Sequence, residues 1–422
     1  MRLPSPYTPG AGARPPVLSG REELLARAEV DVAAAATLRR PASAPLVWTG
    51  VRGVGKTVAL AEVRRTAESV GVLTVHLTVE RDRSLARRLA EACAAAMAEA
   101  GVDRRGRLWA RVVERLAAFD VELSVGGVVT VRSEGRPGAV VGDVGRDQLR
   151  QLLEDVTDQA VQAGRPGLLL TLDEIQEAPS DDLVLLVNTL QDLTSGQRPV
   201  VTVLAGLPGT PEALMRAGSF AERFAYSRLR NLEPEAARRA VVEPAANLDV
   251  RWEPDAVQLV TALAAGAPFL LQLYADNIWR LVDPDRGGSV DLPTARAGVL
   301  AAEESLWDGQ YRGRWARATR AERAMLGAIA AALDPHTRVA QISAVGARLG
   351  KKSKQMSKAR ADLIDKGLLE PVGRGELAFT VPGFEWFVLA QVADSASDRP
   401  DLPTLELRAQ HALPPTPPSS ST

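Results

Sequence analysis

Cysteine, histidine and lysine are scarce in this chain of 422 residues. The single cysteine, Cys93, excludes an internal disulfide, and the 3 histidines lie too far apart in the sequence to suggest a zinc site. No apolar run reaches the roughly 18 residues that a membrane-spanning helix needs. Residues 1–10 also lack the basic and apolar stretches of a leader peptide. We therefore expect a cytoplasmic protein that does not contact a membrane.

An excess of charge of one sign is absent as well. The formal net charge is -1, so the chain as a whole has no general attraction to nucleic acid or to anionic membranes. Most basic residues are arginines, and lysine occurs at only a few positions, namely Lys56, Lys351, Lys352, Lys354, Lys358 and Lys366. In such an arginine-rich sequence, the positions that keep a lysine are candidates for a specific function.

The length and composition predict a folded protein of two or three domains, because 46% of the residues are hydrophobic and 24% are charged. The proline-rich segment 1–17 predicts an extended arm, and segment 393–422 predicts a disordered tail. Between them we predict an α/β core at residues 18–232, a helical lid at 233–311 and a winged helix at 312–392.

In the predicted core, short apolar runs alternate with helical patterns, which is typical of a parallel sheet with crossover helices. The predicted strands are 46–48, 72–77, 167–172 and 200–205. The interval from Thr57 to Asp173 is far longer than the roughly 30 residues of one βαβ unit, so we predict an insertion at about 103–148. Within it, residues 119–132 alternate around Gly126 and Gly127, which predicts a β-hairpin outside the core sheet.

A phosphate-binding loop is the most specific motif. Residues 50–57 satisfy the pattern GxxxxGK[ST] between a predicted strand and a predicted helix. The N–H groups of such a loop point at phosphates, its lysine reaches the β and γ phosphates, and its threonine hydroxyl binds Mg²⁺. The alternative is a glycine-rich turn with a surface lysine, which the flanking elements disfavour. The predicted nucleotide contacts are Gly50, Val51, Arg52, Gly53, Val54, Gly55, Lys56, Thr57 and Val58.

Two carboxylates follow the apolar strand 167–172. Asp173 is predicted to hold Mg²⁺, and Glu174 is predicted to orient and deprotonate the water that attacks ATP. Acidic residues at the end of a strand are common, so this prediction depends on the phosphate loop. With the loop, the residues predict an ATP hydrolase that uses ATP and Mg²⁺, in which Lys56 and Glu174 are catalytic.

With these motifs, residues 18–392 resemble the AAA+ ATPases, in particular the branch that contains origin-recognition ATPases and STAND-type signalling NTPases. The resemblance implies that Gly20 and Arg21 lie near adenine. A helix start with an exposed pair of Arg21 and Glu22 is the alternative. The sequence Gly266-Ala267-Pro268 resembles the Gly-x-Pro element of STAND proteins, which implies that Pro268 lies at the nucleotide.

Two further positions of the core concern the rate of hydrolysis. The strand 200–205 continues into Gly206 and Leu207, without the Asn or Thr that senses the γ-phosphate in a typical AAA+ protein. The resemblance therefore implies slow hydrolysis and a switching function. Arg223 lies where a neighbouring subunit would supply an arginine finger, and an ion pair with Glu222 or Glu212 is the alternative.

The C-terminal segment predicts a helix-turn-helix at 342–350 and 352–369, followed by strands at 369–372 and 376–381. Apolar spacing turns one face of the second helix toward the core and leaves a basic face exposed. Residues of these types bind DNA phosphates and base edges, although winged helices also dock on proteins. The candidate DNA contacts are Lys354, Gln355, Lys358 and Arg360 on the helix, and Arg374 in the turn between the strands.

The sequence therefore predicts an ATP-dependent switch that is coupled to double-stranded DNA by the winged helix. The alternative is a STAND-like signalling ATPase whose winged helix contacts a protein. A small-molecule kinase is disfavoured by Glu174 next to Asp173 and by the appended domains. The sequence leaves open whether the protein forms a homo-oligomer or binds a protein partner.

Overall fold

The structure is a computed structural model that describes residues 3–10, 12–81, 83–102, 106–119, 121–123, 129–131, 146–335, 337–394 and 405–412. The chain divides into two compact units. The first unit consists of residues 21–50 and 56–229, and the second of residues 1–20, 51–55 and 230–422. Within the described ranges, no helix is both long and apolar enough to cross a membrane.

The first unit is a parallel sheet with helices. Its strands are β1 (Leu46–Thr49), β2 (Leu73–Thr78), β3 (Val121–Leu123), β4 (Val129–Val131), β5 (Leu168–Asp173), β6 (Val200–Gly206) and β7 (Ala225–Arg228). Its helices are α1 (Glu22–Leu38), α2 (Lys56–Ser69), α3 (Leu85–Glu99), α4 (Gly106–Ala117), α5 (Arg146–Gln162), α6 (Ser180–Ser195) and α7 (Thr210–Ala217). Two short 3₁₀ turns cover Ile175–Glu177 and Ser219–Arg223.

The core sheet has the order β2-β5-β6-β1-β7, and all neighbouring strands are parallel. Strands β1, β5 and β6 are buried along their whole length, which explains why apolar runs identified them in the sequence. The predicted α/β fold with a parallel sheet is thus confirmed. Strand β7 was not predicted, because it is half-buried and has no apolar run. The order of the sheet places the carboxyl end of β6 between those of β1 and β5.

The predicted hairpin is present as a separate two-stranded sheet. Strands β3 and β4 pair antiparallel, with Val121 opposite Val131, and they do not join the core sheet. The predicted turn glycines, Gly126 and Gly127, lie outside the described residues. So do residues 103–105 and 132–145 of the predicted insertion.

The second unit contains the helical segment that was predicted as a lid. Its helices are α8 (Pro234–Ala246), α9 (Pro254–Ala264), α10 (Pro268–Val282) and α11 (Leu292–Leu306), followed by a π-helical turn at Trp307–Tyr311. A proline occupies the first turn of α8, α9 and α10, where a missing N–H costs no hydrogen bond. The prediction of an entirely helical segment missed the parallel pair β8 (Arg251–Trp252) and β9 (Ser289–Val290), because two-residue strands have no periodicity.

A C-terminal domain follows in the same unit. Its elements are α12 (Arg312–Ala316), α13 (Arg320–Ala330), β10 (Ala340–Gln341), α14 (Ile342–Leu349), α15 (Ser353–Asp365), β11 (Leu369–Gly373), β12 (Glu376–Phe379) and α16 (Phe384–Asp394). The strands form an antiparallel sheet in the order β10-β12-β11. The predicted helix-turn-helix corresponds to α14 and α15 and the predicted hairpin to β11 and β12, whereas β10 and α16 were not predicted.

The N-terminal arm packs into the core of the second unit. Its described residues form no helix or strand, yet Tyr7 is buried among Trp252, Trp279 and neighbouring side chains. The Tyr7 hydroxyl donates to the Val241 carbonyl at 2.6 Å and accepts from Trp252 Nε1 at 3.0 Å. These contacts hold the arm in place without regular secondary structure.

The prediction of a disordered tail at 393–422 is wrong for part of that segment. Residues 405–412 form α17 (Leu405–Ala412), and Leu405 and Ala409 are buried in the hydrophobic core of the second unit. Arg408 forms an ion pair with Glu303 at 2.6 Å. The proline-rich composition hid this short helix, whose partners lie far away in the sequence. Residues 395–404 and 413–422 lie outside the described part of the chain.

Candidate nucleotide-binding site

The phosphate loop connects the end of β1 to the start of α2. Gly53 and Gly55 have φ angles of +85° and +95°, which residues with a side chain rarely adopt. Helix α2 begins at Lys56, so its first N–H groups lie directly after the loop. A helix N-terminus that follows a glycine-rich turn is a binding site for phosphate.

Lys56 is buried, and its Nζ donates to the Gly50 carbonyl at 2.8 Å. This hydrogen bond holds the ammonium group at the beginning of the loop. A phosphate oxygen is a stronger partner for an ammonium group than a neutral carbonyl. Lys56 can therefore exchange the Gly50 carbonyl for a phosphate.

Thr57 and Asp173 form the candidate metal site. The Thr57 hydroxyl donates to Asp173 Oδ2 at 2.5 Å, and Asp173 is buried. Both side chains offer hard oxygens at one point, which fits Mg²⁺, since this ion takes one or two ligands from a protein and the rest from phosphates and water. Within the described residues, no group of three or more His, Cys, Asp or Glu side chains could hold a metal ion. A Mg²⁺ site that is completed by phosphates and water does not need such a group of side chains.

Glu174 has a left-handed backbone conformation, with a φ of 54°. This conformation is uncommon for a residue with a side chain and occurs preferentially at functional sites. The Glu174 N–H donates to Asp173 Oδ1 at 2.8 Å, and the Gln176 amide donates to the Glu174 carboxylate. Gln176 was not predicted as a site residue. The only sequence signal was its position two residues after Glu174.

The end of β6 has no room for a side chain. A β-carbon built on Gly206 would lie 2.8 Å from Ile175 Cγ2 and 2.9 Å from Gln176 Oε1. The packing of these neighbouring side chains therefore requires a glycine at position 206, which explains why no Asn or Thr occurs there. Thr202 is buried within β6 opposite Leu170, away from the end of the strand.

The residues predicted to lie near adenine belong to both units. Gly20 is in the second unit, where a β-carbon would lie 3.0 Å from Ala236 Cβ and 3.1 Å from Leu232 Cδ2. The Leu232 N–H donates to the Gly266 carbonyl at 2.7 Å, and Pro268 begins α10 just after this turn. Leu232 thus brings Gly20 together with the Gly-x-Pro element.

Arg21 belongs to the first unit and is only 9% exposed. Burial lowers the pKa of its guanidinium, and the nearby Glu22 acts in the opposite direction. The alternative prediction of an exposed Arg-Glu pair is therefore wrong for Arg21.

Arg223 is exposed in the 3₁₀ turn Ser219–Arg223. Among the hydrogen bonds and ion pairs of the described residues, its side chain has no ion pair with Glu222 or Glu212. The exposed Arg223 side chain is therefore accessible to another molecule.

The C-terminal candidates lie mostly on the surface. Met356 and Leu363 are buried on the apolar face that was predicted to turn toward the core, whereas Arg360 is half-buried. The exposed candidates are Lys354, Gln355, Lys358 and Arg374. The Gln355 side-chain oxygen accepts from the Lys352 N–H at 2.8 Å, so this residue also caps α15.

Lys366 has a structural partner. Its Nζ lies 2.6 and 2.7 Å from the two carboxylate oxygens of Glu322, which is buried at the start of α13. The lysines at the C-terminus therefore do not all belong to one surface. Lys366 links α13 to the end of α15.

Comparisons with known proteins agree with this geometry. Residues 17–203 match the family model of the AAA ATPase domain, and residues 308–388 match a domain of unknown function, DUF8462. No curated protein matches the sequence.

Two solved structures share the fold over most of the chain. The Walker-type ATPase paby2304 of Pyrococcus abyssi has 13% sequence identity and a TM-score of 0.58, over 92% of this chain and 98% of that one. The Aeropyrum pernix ORC2 protein, solved as ADPNP-ADP complexes, has 14% identity and a TM-score of 0.56 over the same shares. Together with the phosphate loop and the parallel sheet, these matches show that residues 17–203 contain an AAA ATPase domain and that the chain shares its fold with these two ATPase structures.

Proposed function

We propose that this protein hydrolyses ATP and acts as a nucleotide-dependent switch that controls DNA binding by its C-terminal domain. Lys56 and the N–H groups of the phosphate loop would hold the phosphates, and Thr57 and Asp173 would hold Mg²⁺. The metal ion would neutralise charge on the phosphates. Glu174 would accept a proton from the attacking water. The Aeropyrum relative, solved with ADPNP and ADP, supports nucleotide binding.

The observation that carries the switch is the position of Arg52 in the second unit. This residue of the phosphate loop lies against Gly367, in the turn between α15 and β11, where a β-carbon would be 3.6 Å from Arg52 Nε. The Gly367 carbonyl also accepts from Nη1 of the buried Arg314 at 3.2 Å. Burial is the main cause that lowers the pKa of Arg314 to about 10, and Arg52 and Arg317 add repulsion. A phosphate bound by the loop would change the charge around Arg52 and hence this contact.

Several features support double-stranded DNA as the ligand of the C-terminal domain. The order α13-β10-α14-α15-β11-β12 is that of a winged helix, and α15 would be its recognition helix. Lys354 and Lys358 are exposed on α15 and would neutralise phosphates. Arg374 is exposed in the turn between β11 and β12, where a wing contacts the backbone or the minor groove.

A signalling ATPase that docks on a protein is the second candidate. The contact between Arg52 and Gly367 favours it equally, because it places the C-terminal domain against the phosphate loop within one unit. The exposed basic face of α15 favours DNA. The two candidates differ in what binds this face.

The test is ATP turnover with and without duplex DNA, at two salt concentrations. DNA should stimulate turnover of the wild type, high salt should weaken the stimulation, and Lys56→Ala should abolish turnover. The double variant Lys354→Ala/Lys358→Ala should keep basal turnover and lose the stimulation by DNA. In a plot of the logarithm of its DNA-binding constant against the logarithm of the salt concentration, the slope should be smaller by about two, because two phosphate contacts are lost. If DNA does not change the rate of turnover and does not bind, the result would favour the protein-docking candidate.

A further inference from the structure

The end of β6 lies between the two halves of the candidate active site. In the sheet, β6 has β1 on one side and β5 on the other. The Gly50 N–H donates to the Gly206 carbonyl at 3.2 Å, which joins β6 to the first residue of the phosphate loop. The Leu207 N–H donates to Gln176 Oε1 at 2.9 Å, which joins β6 to the turn after β5.

Both polar atoms of the Gln176 side chain are used. Its Oε1 accepts from Leu207, so its Nε2 is the group that donates to Glu174 Oε2. An amide has one acceptor and one donor end, and the backbone N–H determines which end faces which partner. The Gln176 amide therefore links the Glu174 carboxylate to the backbone at the end of β6.

Gly206 leaves the space that this side chain fills. A β-carbon there would collide with Thr210 Oγ1 and would lie 2.9 Å from Gln176 Oε1. An Asn or Thr at position 206 would therefore not fit beside the present position of Gln176. The polar group at the end of this strand thus comes from the neighbouring turn.

We propose that Gln176 is a positioning residue for hydrolysis, which orients Glu174 and takes the place of the polar side chain that Gly206 lacks. The proposal rests on the proposed ATP hydrolysis. Hydrogen bonds connect Glu174 through Gln176 to Leu207, and the preceding residue Gly206 is hydrogen-bonded to Gly50, whose carbonyl accepts from Lys56. The orientation of the general base thereby depends on the strand end that contacts the phosphate loop.

The test compares Gln176→Ala and Gln176→Glu with the wild type. The Glu variant has nearly the same shape and keeps an oxygen for Leu207, but it places a second carboxylate against Glu174. Both variants should lower kcat by about ten- to a hundredfold, since small misplacements of a catalytic group have effects of this size. The KM for ATP should change less than about twofold, because the phosphate loop is untouched. Gln162→Ala, an exposed glutamine at the end of α5, is the matched control and should keep the wild-type kcat.

A Glu174→Gln background separates positioning from structure. If Gln176 acts through Glu174, then Gln176→Ala should cause no further loss of kcat in that background. Equal losses of kcat in both backgrounds would overturn the proposal, and so would wild-type kcat in both Gln176 variants. If the wild type itself shows no turnover, the proposed ATPase function fails, and the role of Gln176 in hydrolysis fails with it.

Discussion

The Thr57 hydroxyl donates a 2.5 Å hydrogen bond to Asp173, a residue 116 positions later in the chain. This contact joins the first turn of α2 to the end of β5 and defines where Mg²⁺ would bind. Thr57→Val keeps the shape of the side chain and removes the oxygen. We expect this variant to need at least about tenfold more Mg²⁺ for half-maximal turnover, a typical effect when a metal site loses a polar group.

Thr57→Ser is the matched control for that experiment, because it keeps the hydroxyl. A magnesium titration of turnover compares the two variants with the wild type. An unchanged magnesium requirement in Thr57→Val would remove Thr57 from the metal site.

Glu174→Gln should separate binding of ATP from its hydrolysis. The amide has the size of the carboxylate but cannot accept the proton of water, so kcat should fall by about 10² to 10⁴. Binding should persist, since Lys56 and the phosphate loop are unchanged. A nucleotide-binding titration beside a single-turnover assay measures both quantities. Loss of binding in parallel with turnover would mean that Glu174 contributes to the fold of the site.

Arg223→Ala tests whether a second subunit completes the site. The exposed guanidinium would stabilise transition-state charge in a neighbouring subunit, an effect of up to about 10³ to 10⁵. The turnover of the wild type per protomer should therefore rise with protein concentration, and that of the variant should stay low. Arg216→Ala, an exposed arginine on α7, is the control. Equal turnover of wild type and Arg223→Ala at all concentrations would exclude the arginine finger.

Lys366→Ala should destabilise the C-terminal domain. The substitution leaves the buried Glu322 carboxylate without its lysine partner, which costs about 1–3 kcal/mol in the free energy of unfolding. Lys358→Ala removes an exposed lysine from the same helix and should change stability by less than about 0.5 kcal/mol. Urea denaturation of both variants makes the comparison. Equal stability would contradict a structural role for Lys366.

His76 should make the first unit sensitive to acid. Its Nδ1 lies 3.0 Å from Thr171 Oγ1, and burial, with a further contribution from Arg64, lowers its pKa below the usual 6.5. The unfolded chain therefore binds a proton near pH 6.5 while the folded chain does not, so stability falls as the pH drops below that value. In His76→Asn, the melting temperature should fall less than that of the wild type as the pH drops below 6.5. An acid profile that is unchanged in the variant would contradict the prediction.

The parts of the fold and site that sequence patterns predicted are those with a local signal. Strands β1, β2, β5 and β6 have apolar runs, and the phosphate loop has a glycine spacing that its own backbone requires. Asp173 and Glu174 were found because they end an apolar strand. None of these predictions needed knowledge of a partner distant in the chain.

The sequence by itself determined a phosphate loop, a pair of carboxylates and the apolar strands of the core sheet, because each depends on residues close together in the chain. Only the tertiary structure decided that the Gln176 amide fills the space beside Gly206, that Lys366 pairs with Glu322, and that Tyr7, Leu405 and Ala409 are buried. Each of these features is a contact between segments that composition describes as loop, surface or tail. Hydrogen bonds and burial are set by the partner that folding brings near, and no local pattern records which partner that is.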